Sequence, residues 1–152
     1  MNAFRGIYKY WVTILTAAVV LQIFFAGYGA FDTADKVSSE GAVVDEKSFE
    51  DSFGAHIGLG YLIFLGTLVL LLVSFGTRDR KRIFRSLGVV GLLVLQILLA
   101  WTGGAVPYVF GGLHPLNAFL ILGFLASITY REWKTKEGKA PETAPATAPP
   151  AA

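Results

Sequence analysis

Four long apolar blocks alternate with short polar segments along this chain of 152 residues. They run from about Trp11 to Phe31, Phe53 to Phe75, Ser86 to Gly104 and Leu113 to Tyr130, at residues 11–31, 53–75, 86–104 and 113–130. None contains Asp, Glu, Lys or Arg. Crossing the hydrocarbon core of a bilayer takes about 20 apolar residues in a helix. The blocks meet or nearly meet that length, and they do not show the amphipathic alternation of a soluble helix. The pattern therefore predicts an all-α protein, an integral membrane four-helix bundle occupying residues 11–131. The first block is long for the apolar core of a signal peptide and three more follow it, so it is expected to be a retained helix.

The polar segments set the expected topology. Residues 1–10 carry Arg5 and Lys9 beside Tyr8 and Tyr10, with Trp11 following, a basic flank with interfacial aromatics. Residues 32–52 are expected to form a polar loop in which Asp32, Asp35, Glu40, Asp45, Glu46, Glu50 and Asp51 outweigh Lys36 and Lys47. Asp51 or Ser52 is expected to cap the helix that follows, since a short oxygen-bearing side chain can satisfy free N–H groups there. Arg78, Arg80, Lys81, Arg82 and Arg85 make the next connection strongly basic, a flank expected to face lipid, whereas residues 103–112 form an uncharged far loop. Residues 132–152 end in a Pro/Ala-rich tail expected to be disordered. Of the thirteen Lys and Arg, only Lys36 and Lys47 lie outside the two termini and the middle connection. The positive-inside rule then puts both termini in the cytoplasm, of a bacterial or archaeal plasma membrane.

Composition narrows the chemistry. Hydrophobic residues make up 54% and charged residues 16%, against roughly 25% charged in a soluble domain. The absence of cysteine excludes disulfides, thiolate metal sites, iron–sulfur clusters and covalent c-type haem attachment. No nucleotide-binding glycine loop, nucleophile elbow or zincin motif occurs, and nothing resembles a nucleic-acid footprint.

The chain also repeats itself. Leu21-Gln22-Ile23-x-x-Ala26 near the outer end of the first block matches Leu95-Gln96-Ile97-x-x-Ala100 near the outer end of the third. The block after each begins with one of the two histidines, His56 and His114. Two hairpins in the same orientation imply a pseudo-two-fold axis along the membrane normal, which sets the histidines opposite each other at similar depth. Gly60 and Ala118 lie four residues on, on the same helix face, and are small enough to admit a flat macrocycle. Asn117, three residues after His114, is placed to hydrogen-bond near it. Gln22 and Gln96 are expected to bond between helices and fix their register, with a polar wall for a quinone or a haem edge as the sharper alternative. The paired imidazoles are expected to hold a metal as haem iron, because two histidines alone leave a tetrahedral zinc site unfilled. Tyr28, Trp101 and Tyr108 fit an aromatic belt, and Lys36 and Lys47 are the outer cations available to haem propionates.

On these residues the chain resembles one four-helix half of the haem A synthase family, over about residues 11–130. The Leu-Gln-Ile-x-x-Ala signatures and the Leu-His-x-x-x-Ala-Phe pattern at Leu113 to Phe119 carry the likeness. It also looks like short, uncharacterised four-helix membrane proteins with the same histidine pattern. The resemblance implies that His56 and His114 are paired axial ligands of a haem. The chain departs from that family in three ways: Phe53 stands where the synthase has a carboxylate before its first histidine, the outer-loop cysteines are absent, and one copy has a single histidine pair.

Three functions follow as expectations. The first is a small haem b protein moving single electrons between a redox partner or quinone in the membrane. The second is a haem A synthase-like enzyme, acting as a homodimer that rebuilds eight helices and using Glu50 or Asp51 as its carboxylate. The third is a haem-free accessory subunit. Two axial imidazoles leave no open iron position, which favours electron transfer.

Overall fold

A computed structural model describes residues 3–40, 43, 45–105 and 109–134. Four helices follow one another: α1 (Ala3–Glu40), α2 (Glu46–Gly76), α3 (Arg80–Ala105) and α4 (Val109–Lys134). Each is long and apolar enough to cross a membrane. α1 packs on α2 and α3 on α4, as two helical hairpins; α1·α4 and α2·α3 contacts close the four-helix bundle. Among the described residues α2 and α4, which carry the histidines, face each other only across the diagonal. Large side chains such as Ile14, Phe24, Leu62, Leu72 and Leu120 are exposed on the outside, an apolar surface suited to lipid rather than water.

The helices outrun their apolar blocks. At 1.5 Å per residue, the 38 residues of α1 span about 57 Å and the 26 of α4 about 39 Å, against roughly 30 Å of hydrocarbon. The predicted polar loop is therefore shorter than expected: residues 32–40 continue α1 and residues 46–52 already belong to α2. Local chemistry explains both extensions. Lys36 pairs with Asp32 at 2.7 Å across one turn, and Ser52 donates to Asp32 at 2.6 Å, tying the two extensions together. The cap of α2 is Asp45, not Asp51 or Ser52. Its carboxylate accepts the Ser48 N–H at 2.8 Å, and the Ser48 hydroxyl accepts the Asp45 N–H at 2.9 Å, a reciprocal box. The Ser48 backbone and side-chain bonds hold the Asp45 carboxyl below the ordinary aspartate pKa. The far loop is shorter too, since residues 103–105 end α3 and residues 109–112 begin α4; residues 132–134, expected in the disordered tail, instead end α4, and Tyr108 and the tail beyond Lys134 lie outside the described residues.

The apolar core occupies the middle of the bundle and the end that holds Tyr8 and Ile128. Tyr8, Val12, Leu15 and Val19 of α1 are spaced by four, three and four residues, which puts them on one helix face. They meet Ile63 and Leu70, Val89 and Leu93, and Ile121, Leu125 and Ile128. Tyr8 and Lys9, expected at the interface, are instead buried. The Tyr8 hydroxyl donates to the Arg82 carbonyl at 3.4 Å and accepts from Ser86 at 3.3 Å. Arg82 is likewise not a lipid-facing flank residue: it turns inward to Glu132.

Glycines set how closely α1 and α2 approach. The Trp11 indole donates to the Gly66 carbonyl at 2.7 Å. Higher up, a Cβ at Gly29 would lie 2.8 Å from the Ser52 carbonyl oxygen and 2.8 Å from the Phe53 ring. The carbonyl is backbone and cannot swing aside, so the helices must part. Gly29→Ala is expected to lower stability by about 1–3 kcal/mol, read as an earlier thermal unfolding transition in detergent. An unchanged transition would mean that α1 and α2 do not approach this closely there.

Candidate functional site

A polar layer sits directly above the apolar core. One turn outward from Val19 is Gln22, and from Leu93 is Gln96; α2 and α4 run the other way and contribute His56 above Ile63 and His114 above Ile121. The rings of His56 and His114 approach to 6.2 Å between centroids, with planes 65° apart. Both are half-buried.

Each histidine is held the same way. His56 Nδ1 lies 3.1 Å from the Gln22 carbonyl, and His114 Nδ1 lies 3.2 Å from the Gln96 carbonyl. A carbonyl only accepts, so each Nδ1 carries the hydrogen and donates it. In the neutral ring Nε2 is then the bare nitrogen, the form in which imidazole ligates a metal. The orientation comes from the backbone of the preceding helix, so neither side chain needs a carboxylate to set its tautomer.

The glutamine amides behave differently. Gln22 Nε2 donates to the His56 carbonyl at 2.8 Å, completing a reciprocal clasp between α1 and α2. That amide uses the room over Gly60, where a Cβ would come to 3.1 Å from Gln22 Nε2. The smallness of Gly60 thus serves a side chain of α1. Gln96 Nε2 instead lies 3.1 Å from His114 Nε2. Gln96 Oε1 accepts from Asn117 Nδ2 at 2.8 Å, and the same nitrogen donates to the Leu92 carbonyl at 3.0 Å. Asn117 is only 3% exposed; Ala118 beside it is half-buried. Both glutamines make interhelical bonds, while Gln22 Oε1 and Asn117 Oδ1 are buried without a hydrogen-bond partner.

The other residues singled out from the sequence stand further off. Lys36 is engaged with Asp32 and Ser52, Lys47, Glu50 and Asp51 are exposed, and Tyr28 and Trp101 point outward at 59% and 73% exposure. Phe53 matters more than its sequence position suggested. It meets His56 edge-on at 6.2 Å and stacks on Phe49 at 4.6 Å, so aromatic rings cover the outer side of the imidazole. A phenylalanine three residues before a histidine on a helix was the available signal.

The donor set suits a metal that brings its own equatorial donors. Among the described residues no group of three or more His, Cys, Asp or Glu side chains comes together, so a tetrahedral protein cage is not built here. Two metal–nitrogen bonds of about 2 Å, with half of each ring added, separate two imidazole centres by roughly 6 Å, close to the 6.2 Å observed. No family model, curated protein or solved structure matches the chain.

Proposed function

We propose that this integral membrane bundle is a b-type haem protein that passes single electrons, with His56 and His114 as the axial ligands. The observation that carries this reading is the pair of imidazoles 6.2 Å apart, each anchored through Nδ1 to the carbonyl of the equivalent glutamine. When bound, haem would supply a metal that changes by one electron, and His56 and His114 would hold it. The chain's own residues do the rest. Gln22 and Gln96 fix the tautomer, and Phe49 and Phe53 shield the outer side of His56. The packed core from Val19 inward closes the site toward the middle of the membrane.

The likeness to haem A synthase supports the ligand assignment more than the enzymatic alternative, because the position three residues before His56 holds Phe53 and the acids Glu50 and Asp51 are exposed. With both termini in the cytoplasm, the site lies near the outer face, where a quinone or an external carrier exchanges electrons with it.

A second reading has one observation in its favour. The Gln96 amide sits on His114 Nε2, as it would if the histidines were only fasteners between helices in an accessory subunit. The dithionite-reduced minus oxidised absorption spectrum of the detergent-purified protein, expressed with ample haem, separates the two. Sharp low-spin b-type bands are expected. A folded, colourless protein would leave the fastener reading standing and remove the electron-transfer one.

A further inference from the structure

We infer that the two imidazoles are unequal ligands: His56 is the fixed one, and the Gln96–Asn117 amide pair makes His114 the one that is released, opening the iron to a small neutral diatomic ligand. The inference rests on the haem reading above and deepens it.

The inequality comes from one substitution between the repeats. Asn117 stands three residues after His114, where the first hairpin has Leu59 three residues after His56. Leu59 packs against the apolar core and leaves Gln22 to bond the His56 backbone. Asn117 captures Gln96 instead.

The polarity of that chain of bonds is fixed. The Leu92 carbonyl can only accept, so the nitrogen of Asn117 must face it. The second hydrogen on that nitrogen goes to Gln96 Oε1, which turns the Gln96 N–H groups toward His114. At the other end, the Gln96 carbonyl claims the His114 Nδ1 hydrogen, so His114 Nε2 is an acceptor and Gln96 Nε2 donates to it. Both ends require the same direction. Flipping the Gln96 amide would set N–H against N–H at Asn117, and flipping Asn117 would set oxygen against the Leu92 carbonyl.

His114 therefore competes for its own lone pair. Ligation by Nε2 gives up the hydrogen bond from Gln96, whereas among the described residues no hydrogen bond engages His56 Nε2. With haem bound, release would exchange the bond between His114 and iron for one to the incoming ligand. The freed lone pair is taken up by the waiting Gln96 N–H, and no electron or proton changes hands.

Carbon monoxide titrated into the dithionite-reduced, haem-loaded protein tests this. In the wild type, carbon monoxide is expected to replace the low-spin spectrum. Gln96→Leu and Asn117→Leu, which remove the competitor or unlatch it, are expected to raise the carbon monoxide concentration needed by about tenfold, the size of one hydrogen bond. The retained low-spin spectrum reports that each variant is folded. Haem is also expected to survive washing better in His114→Gly than in His56→Gly. A wild type that resists carbon monoxide, variants that respond like the wild type, or the reverse order of haem retention would overturn the inequality while leaving the haem site intact. A wild type without haem would remove both readings.

Discussion

Replacing either histidine with glycine is expected to abolish the low-spin haem spectrum of the proposed site, and free imidazole in the buffer is expected to restore it. This is the largest effect expected of any single substitution, because in the proposed site each imidazole would supply one of only two bonds from protein to metal. Glycine removes the ring and leaves a hole of its shape, which imidazole fills. The fold has reason to survive: the Gln22 amide bonds the backbone oxygen of His56, not its ring, and the apolar core lies below the site. Loss of the spectrum with recovery by imidazole assigns the rings as ligands. Loss without recovery, in a protein whose unfolding transition has also moved down, would instead make them packing residues and return the function to a haem-free subunit.

The four helices were legible because lipid imposes a simple rule: backbone polar groups must be satisfied within the segment, so an apolar block of this length has to be helical. Their ends were not legible from the same rule, since Asp32 to Glu40 and Glu46 to Ser52 lie where water can satisfy the backbone. Those turns are helical because of the Asp32–Lys36 pair and the Asp45–Ser48 box. Both are short-range signals that the charge density of the segment obscured. The facing of His56 and His114 followed from the repeat, but the behaviour of the two glutamines did not. Identical Leu-Gln-Ile segments direct their amides to different partners, and the cause, Asn117 against Leu59, sits on another helix. Gly60 shows the same limit: its small size was apparent, but whether a macrocycle or the Gln22 amide uses the space depends on how α1 packs. The inner network was missed altogether. Glu132 fell at the start of the segment expected to be a disordered tail, though an acid between Arg131 and Lys134 and opposite five basic residues in the middle connection was a signal of pairing.

That network carries the second large effect. The Arg82 guanidinium meets the Glu132 carboxylate through both oxygens, Nε to Oε1 at 3.1 Å and Nη2 to Oε2 at 2.8 Å, with side chains 11% and 6% exposed. Asp79 accepts from Arg82 Nη1 at 3.1 Å, and Arg85 stands 3.9 Å from Glu132. Removing one partner of a buried pair leaves a desolvated charge and costs about 3–5 kcal/mol. Arg82→Ala is expected at that level, because Glu132 would keep only the longer contact to Arg85. Glu132→Ala should cost less, since Arg82 retains Asp79. Arg82→Lys should recover only part of the loss, because an ammonium cannot match both carboxylate oxygens. Replacing both, as Arg82→Met with Glu132→Leu, should bring thermal stability in detergent back near the wild type, since no unpaired charge remains between them. Because the pair lies at the opposite end of the bundle from His56 and His114, the haem spectrum of every variant that remains folded should be unchanged. Additive losses in the double replacement would show that the two side chains act separately and that the clasp between α3 and α4 is not a unit. An altered spectrum in a folded single variant would show that the two ends of the bundle are coupled through the core.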